Sequence, residues 1–418
     1  MKRFAMAWMA AFCVGAGFVL GEFVRAVRPV DYLIRPLLAV AVLAVVIGVI
    51  ASLLRGWSVV AAVFAMAWIV QPESPVALGV AVVAAGLVGW RLWKGRAPGI
   101  DTPLAVAAGV FLVTGLVPVI PLIPWSAPVQ AAGVADGPPQ YVILLDGYPR
   151  ADTLAQHGFD ISPFISALEE RGFDHYPDAT TRHPKTIQAL TAMTGGDPDD
   201  WREGDMAVER TLREQWRLPS GFVSIAPPMG FVTLPHTPTL NRFGHTFFES
   251  ELLVRSVFLP VARDWIVDGY RHQLNHALEV TASTDERRVF AHLFAPHFPA
   301  LYGPEGSLPI SECWPYCATV HPGPPGIDVE ERITLIGRYV EWLNLQLVDV
   351  VDRILQRRPD AEIVLFSDHG GRWDDADPAE WGRVFLASRT PTRPDLFSAS
   401  PYPGEVFDRL VGSVEPPG

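Results

Sequence analysis

The stretch EIVLFSDHGG, Glu362 to Gly371, decides the fold. Glu362 to Phe366 is a nearly continuous apolar run of strand length, the mark of a strand buried on both faces of a sheet. It runs directly into Ser367, Asp368, His369, Gly370 and Gly371. An aspartate and a histidine placed straight after a buried strand are costly to bury unless a metal ion or hydrogen bonds satisfy them. A second run has the same form: YVILL, Tyr141 to Leu145, leads into Asp146 and Gly147, although a lone Asp-Gly pair is also a common turn.

Outward from these two strands the pattern alternates. Helical periodicity covers Ser162 to Arg171, a stretch opening at Thr186, Glu249 to Leu278, and Val329 to Arg357. Further strands are predicted near Phe222, over RVFAHLF from Arg288 to Phe294, and over Val384 to Ala387. Short apolar runs separated by amphipathic helices predict one α/β domain over residues 140–418, with a mostly parallel central sheet covered on both faces. The Pro-rich end from Thr390 onward is expected to wrap the surface or fray. Ligands of such sheets gather at the carboxyl ends of the strands, where Asp146, Asp368 and His369 lie.

Residues 1–125 are different. They hold nine basic and four acidic residues, a net of +5, whereas the remainder holds 24 basic and 41 acidic, a net of −17, and all 11 histidines. Apolar runs at 4–20, 36–54, 76–93 and 103–125, with a shorter one at 57–70, approach or reach the roughly 17 to 25 residues that cross a bilayer core and predict a transmembrane region of about five helices. Lys2, Arg3, Arg55, Arg91, Lys94 and Arg96 would then be cytoplasmic, against Arg25, Arg28 and Arg35 outside, so the positive-inside rule makes the rest of the chain extracytoplasmic. A cleaved signal peptide is the rival reading of the first run; the spans that follow, and the lack of a cleavage site before Glu22, disfavour it. The spans carry no acidic relay of the kind transporters use, which favours an anchor in the cell membrane. Residues 126–139 form an Ala, Gly and Pro linker. The strongly acidic outer domain is unsuited to binding nucleic acid. Cys313 and Cys317, in CWPYC of that domain, are expected to form a local disulfide, with two free thiols as the alternative.

Two more elements carry candidate chemistry. In DATTRHPKTIQALTAMTGG, Asp178 to Gly196, Thr186 opens an amphipathic helix. A threonine there is ordinarily an N-cap. The same position offers a hydroxyl nucleophile at the positive end of a helix, where an alkoxide and an incoming phosphoryl oxygen are stabilised. In AHLFAPHFPALYGPEG, Ala291 to Gly306, a strand leads to His297 in a proline-bounded loop that projects the imidazole at a strand end.

In this order and at these separations the four elements resemble the alkaline phosphatase superfamily, in its sulfatase-like branch of membrane-anchored hydrolases and transferases. The resemblance covers most of residues 140–371: VILLDGY is similar to the first metal-binding strand, RHPKT to the nucleophile segment, FAHLFAPHFPALYG to the strand with a substrate-binding histidine, and the helix leading to VLFSDHGG to the second metal strand. Five spans before an outer domain are similar to lipoteichoic acid synthases and phosphoethanolamine transferases. The resemblance implies one divalent ion, Mn, Mg, Ca or Zn, held by Asp146, Asp368, His369 and the hydroxyl of Thr186, with Thr186 also the nucleophile. It implies that His297 binds the transferred group or protonates the leaving group. His245, in RFGHTFFES, is a further substrate-binding candidate, and Arg150 and Arg372 are candidates for clamping an anionic oxygen.

The chain departs from the family pattern twice. It has no C/S-x-P-x-R run, which argues against formylglycine-dependent sulfate hydrolysis, and it has no histidine after His369, which favours a single-metal site. The resulting expectation is a phosphoryl or phospho-alcohol transferase or hydrolase acting on an envelope lipid or glycan. A sulfatase, and a catalytically silent module binding envelope polymers, are the alternatives.

Overall fold

The computed structural model describes residues 2–26, 34–53, 61–63, 65–66, 137–183, 185–193, 259–285, 287–297, 299–309, 329–371, 378–393, 396–397 and 402–411. The chain divides into two units, Met1–Ala127 with His245–Ile266, and Pro128–Gly244 with Val267–Gly418.

In the first unit, helices α1 (Lys2–Ala26) and α2 (Ile34–Ser52) coincide with the first two apolar runs. Helix α2 leaves Leu38, Val42, Val46, Val49 and Ile50 at least half exposed, an apolar face that no described residue covers. Among the described residues no helix is long and apolar enough to cross a membrane, so no described helix carries the five-span expectation. The runs at 76–93 and 103–125 lie outside the described residues, as does most of 57–70.

The second unit is built on a five-stranded sheet of order β2-β7-β6-β1-β3. Its strands are β1 (Gln140–Leu145), β2 (Asp174–His175), β3 (Arg288–Leu293), β6 (Glu362–Ser367) and β7 (Leu386–Arg389). Strand β1 is fully buried and pairs in parallel with β3 on one side and β6 on the other, which is why its sequence is apolar without alternation. The sheet is nevertheless mixed rather than mostly parallel. Strand β7 runs antiparallel to both β6 and β2. The connection from β6 to β7 contains only the four-residue helix α8 (Pro378–Trp381) among its described residues, where a parallel return takes a longer crossover helix.

The helices between these strands are α3 (Ala151–Gln156), α4 (Ser162–Glu169), α5 (Thr186–Met193), α6 (Leu259–Ser283) and α7 (Val329–Arg357). A two-stranded hairpin, β4 (Tyr302–Gly303) and β5 (Gly306–Ser307), follows β3. Helix α7 has the bounds its sequence predicts. Ile336, Val340, Leu343, Leu347, Val351 and Ile354 recur at helical spacing on its buried face. Glu330 and Glu331 in its first turn and Arg357 in its last oppose the helix dipole, and Pro359 prevents its continuation.

Side chains alternate across a sheet, so the even-numbered residues of β1 and β6 share a face. On that face Val142, Leu144, Phe290, Val364 and Phe366 form a core with Leu190 and Met193 of α5. Phe397, Val406 and Leu410 belong to the same core. The chain end therefore neither wraps the surface nor frays over its described part: helix α9 (Val406–Val411) closes this face. A polar network holds it there. Glu362 accepts hydrogen bonds from Gln140, Thr392 and Arg393, while Gln140 and Arg393 also donate to the Leu410 carbonyl.

Candidate functional site

The parity that packs α5 onto the sheet also sets the site. Asp146 and Asp368 continue the even-numbered rows of β1 and β6 beyond their carboxyl ends, and β1 and β6 are adjacent, so both carboxylates emerge side by side. Asp146, Asp368 and His369 are all buried, and one ligand atom from each lies within 4.8 Å of the others. Two tight turns bring them there. Gly147 has a φ of +71°, and its N–H donates to Asp368 Oδ1 at 3.1 Å; a Cβ at this position would stand 3.0 Å from His369 Cε1. At Gly370 the backbone lies against the carbonyls of Glu380 and Arg383, too close to admit any Cβ, and its N–H donates to the Trp381 carbonyl at 2.7 Å.

The hydrogen bonds fix what this set can do. His369 Nδ1 lies 2.8 Å from the Gly370 carbonyl, which can only accept, so Nδ1 carries the proton. In the neutral ring the Nε2 lone pair then faces Asp146 Oδ1 at 3.4 Å and Asp368 Oδ2 at 3.7 Å. Neither His369 Nε2 nor Asp368 Oδ2 has a hydrogen-bond partner among the described residues. Two buried acceptors without donors, converging beside the Asp146 carboxylate, make an arrangement a cation completes, and a set of two carboxylates and one imidazole fits a divalent ion.

Thr186 completes the arrangement. It is the first residue of α5, and its hydroxyl makes a long 3.5 Å contact with Asp146 Oδ1. The hydroxyl is turned toward the carboxylate, so the N-cap expectation is not met: the first helical carbonyl acceptor is that of Lys185, bonded to the Ala189 N–H. The ring of His297 stands 6.3 Å from that of His369 and stacks on Phe294 at 4.4 Å.

The other candidates divide. Arg150 chelates both oxygens of Asp152 at 2.7 Å and donates to the Ala179 carbonyl; none of the converging residues is among these partners. The Asp152 hydrogen bonds hold its guanidinium above its ordinary pKa. His245, Arg372, Cys313 and Cys317 lie outside the described residues.

One residue of the site was not singled out from sequence. His292, fully buried in β3, places Nε2 3.0 Å from Asp146 Oδ2. The available signal was a histidine inside the otherwise apolar run VFAHLF, which a buried strand tolerates only with a partner. Burial alone would raise the Asp146 carboxyl, but the His292 hydrogen bond and nearby His297 outweigh it and hold the group well below the usual carboxylate range. A depressed carboxylate stabilises the fold above its unfolded pKa and loses that contribution as pH falls through the folded one. The stability difference between the metal-free protein and its Asp146→Asn variant should therefore be constant above about pH 4 and shrink below it. Urea unfolding at stepped pH measures this; a difference that grows on acidification would contradict the assignment.

Fold and site together define an α/β domain with a mixed five-stranded sheet and a candidate metal centre at the carboxyl ends of two adjacent strands. The sequence matches no family model and no curated protein. Solved structures to which it is similar include the zinc complex of the C-terminal periplasmic domain of EptC from Escherichia coli, at 14% identity and a TM-score of 0.37 over 61% of this chain and 74% of that one. The integral membrane lipooligosaccharide phosphoethanolamine transferase EptA from Neisseria meningitidis matches at 13% identity and 0.33, over 91% and 71%. The Bacteroides fragilis protein yidJ, a sulfatase by assignment, matches at 14% and 0.34, over 63% and 70%. At such identities and TM-scores these structures carry no argument about activity, which rests on the residues of this chain.

Proposed function

We propose that this protein is a membrane-anchored, metal-dependent phosphoryl or phospho-alcohol transferase or hydrolase, acting on an envelope lipid or glycan through a covalent ester on Thr186. The observation that carries the reading is the Thr186 hydroxyl at a helix N-terminus, directed at Asp146 where Asp368 and His369 converge. Asp146, Asp368, His369 and the Thr186 hydroxyl would hold one divalent ion, Mn, Mg, Ca or Zn. Such an ion supplies Lewis-acid stabilisation of developing charge and a lower hydroxyl pKa.

The chain's own groups supply the rest. Thr186 Oγ, its proton lost to water, forms a bond to phosphorus as the bond to the leaving alcohol oxygen breaks. The N–H groups at the start of α5 stabilise the non-bridging oxygens. His297, beside His369, protonates the leaving alkoxide. Water or an acceptor alcohol then cleaves the enzyme ester, and which of the two reaches it separates hydrolysis from transfer. The apolar face of α2 supports an anchor that keeps this chemistry at a lipid surface.

The test is mass spectrometry of the Thr186 peptide after full-length protein has met an envelope extract. A phosphoryl or phospho-alcohol adduct on Thr186 is expected. A sulfuryl adduct would transfer the reading to a sulfatase, and turnover with an unmodified Thr186 would reject the covalent step. Polymer binding with neither turnover nor adduct would mark a silent module.

A further inference from the structure

We infer that His292 is a positioning residue that aims Asp146 at the reaction site, an inference resting on the reading of Asp146 as a metal ligand. The two oxygens of Asp146 have separate partners. Oδ2 meets His292 Nε2 at 3.0 Å, and Oδ1 meets Thr186 Oγ1 at 3.5 Å and His369 Nε2 at 3.4 Å. An aspartate's terminal torsion has a broad, roughly two-fold preference, so the carboxylate plane is not fixed by its own rotamer. The bond from His292 fixes it, with Oδ1 toward the nucleophile.

Among the described residues nothing else accounts for His292. It is fully buried, with His292 and Leu144 paired across the β1–β3 ladder and Phe290 on the same face. Its Nδ1 has no hydrogen-bond partner among the described residues. A leucine would fill this position without burying an unpaired nitrogen, which costs free energy wherever it occurs. The imidazole is thus a poor choice for the core and a fitting one for Asp146. Partners that orient a metal ligand in this way are typically worth about 10- to 100-fold in metal affinity.

The experiment measures Mn2+ dissociation from the full-length protein, stripped and reloaded, by competition with a chelating dye, with metal-free thermal stability alongside. His292→Gln can return an amide N–H to the place of Nε2, whereas the shorter His292→Asn cannot. The inference expects Mn2+ binding near wild type in His292→Gln and weakened about 10- to 100-fold in His292→Asn and His292→Leu, with the metal-free His292→Leu protein no less stable than wild type. Equal affinity in all three variants would overturn it. So would equal weakening in the Gln and Asn variants, which would mean that ring shape and not the donated bond matters. Should His292→Leu fail to fold, the Gln and Asn pair decides alone. Asp368→Asn separates this inference from the metal reading: undiminished Mn2+ binding in that variant would defeat the reading itself.

Discussion

Thr186→Ala is expected to lower turnover by on the order of 10^4-fold or more, the scale on which an attacking hydroxyl's removal is felt, with little change in fold stability. The two halves of this expectation come from different parts of the structure. Thr186 occupies the first position of α5 and its hydroxyl faces Asp146 Oδ1, so the methyl of alanine removes the proposed nucleophile and one oxygen of the converging set. The helix itself is held by Leu190 and Met193 in the core, which the substitution leaves in place. Alanine is also the better helix former, so the thermal midpoint should move by the equivalent of about 1 kcal/mol or less. Thr186→Ser should retain part of the activity, because it keeps the hydroxyl. Steady-state kinetics with an aryl phosphate and thermal unfolding of the same preparations check both halves. Undiminished turnover in the alanine variant would rule out Thr186 as nucleophile.

The largest stability effect is expected at the opposite end of the sheet. Glu362 is buried at the start of β6, with Arg393 beside it and further hydrogen bonds from Gln140 and Thr392. Burial would raise its carboxyl, but the hydrogen bonds from Arg393, Gln140 and Thr392 prevail and hold it below its ordinary pKa. Arg393→Leu leaves that charge buried without its cation. It also removes the donors to the Arg409 and Leu410 carbonyls that fasten α9. Breaking a buried pair from one side costs about 3 to 5 kcal/mol, and the Arg393 side chain is 32% exposed, so the lower end, near 3 kcal/mol, applies. Urea unfolding should show it as a lowered midpoint with a similar slope. Replacing both partners, as Glu362→Leu with Arg393→Leu, should recover much of the loss, because the uncompensated charge is then gone. No recovery would place the effect in α9 docking rather than in the ion pair.

These residues also mark what the sequence could and could not disclose. Tyr141 to Leu145 and Glu362 to Phe366 were legible as strands because a strand buried on both faces must be apolar throughout, and the α7 bounds were legible because acids, base and Pro359 mark its ends locally. Strand β7 was visible as an apolar run, but its direction depends on how the chain returns from His369, which no local pattern encodes. The packing of Phe397, Val406 and Leu410 was hidden for a related reason: closely spaced prolines suggest surface wrapping, while the core they enter is made by residues far away in sequence. Asp146, Asp368 and His369 could be picked out as candidates because they directly follow readable strands. His292 was not, because its meaning lies in the register of β3 against β1, and strand register is a long-range property. Thr186 was recognisable as a helix start, whereas the direction of its hydroxyl depends on how α5 lies on the sheet.

Asp146, Asp368 and His369 are proposed to hold a metal ion, and elemental analysis of the purified full-length protein beside its Asp368→Ala variant measures whether they do. After dialysis against metal and then against buffer, the wild-type chain should carry one equivalent of a divalent ion and the variant little or none. A wild-type chain that neither retains nor rebinds an ion, or a variant that binds the same amount, would contradict the account.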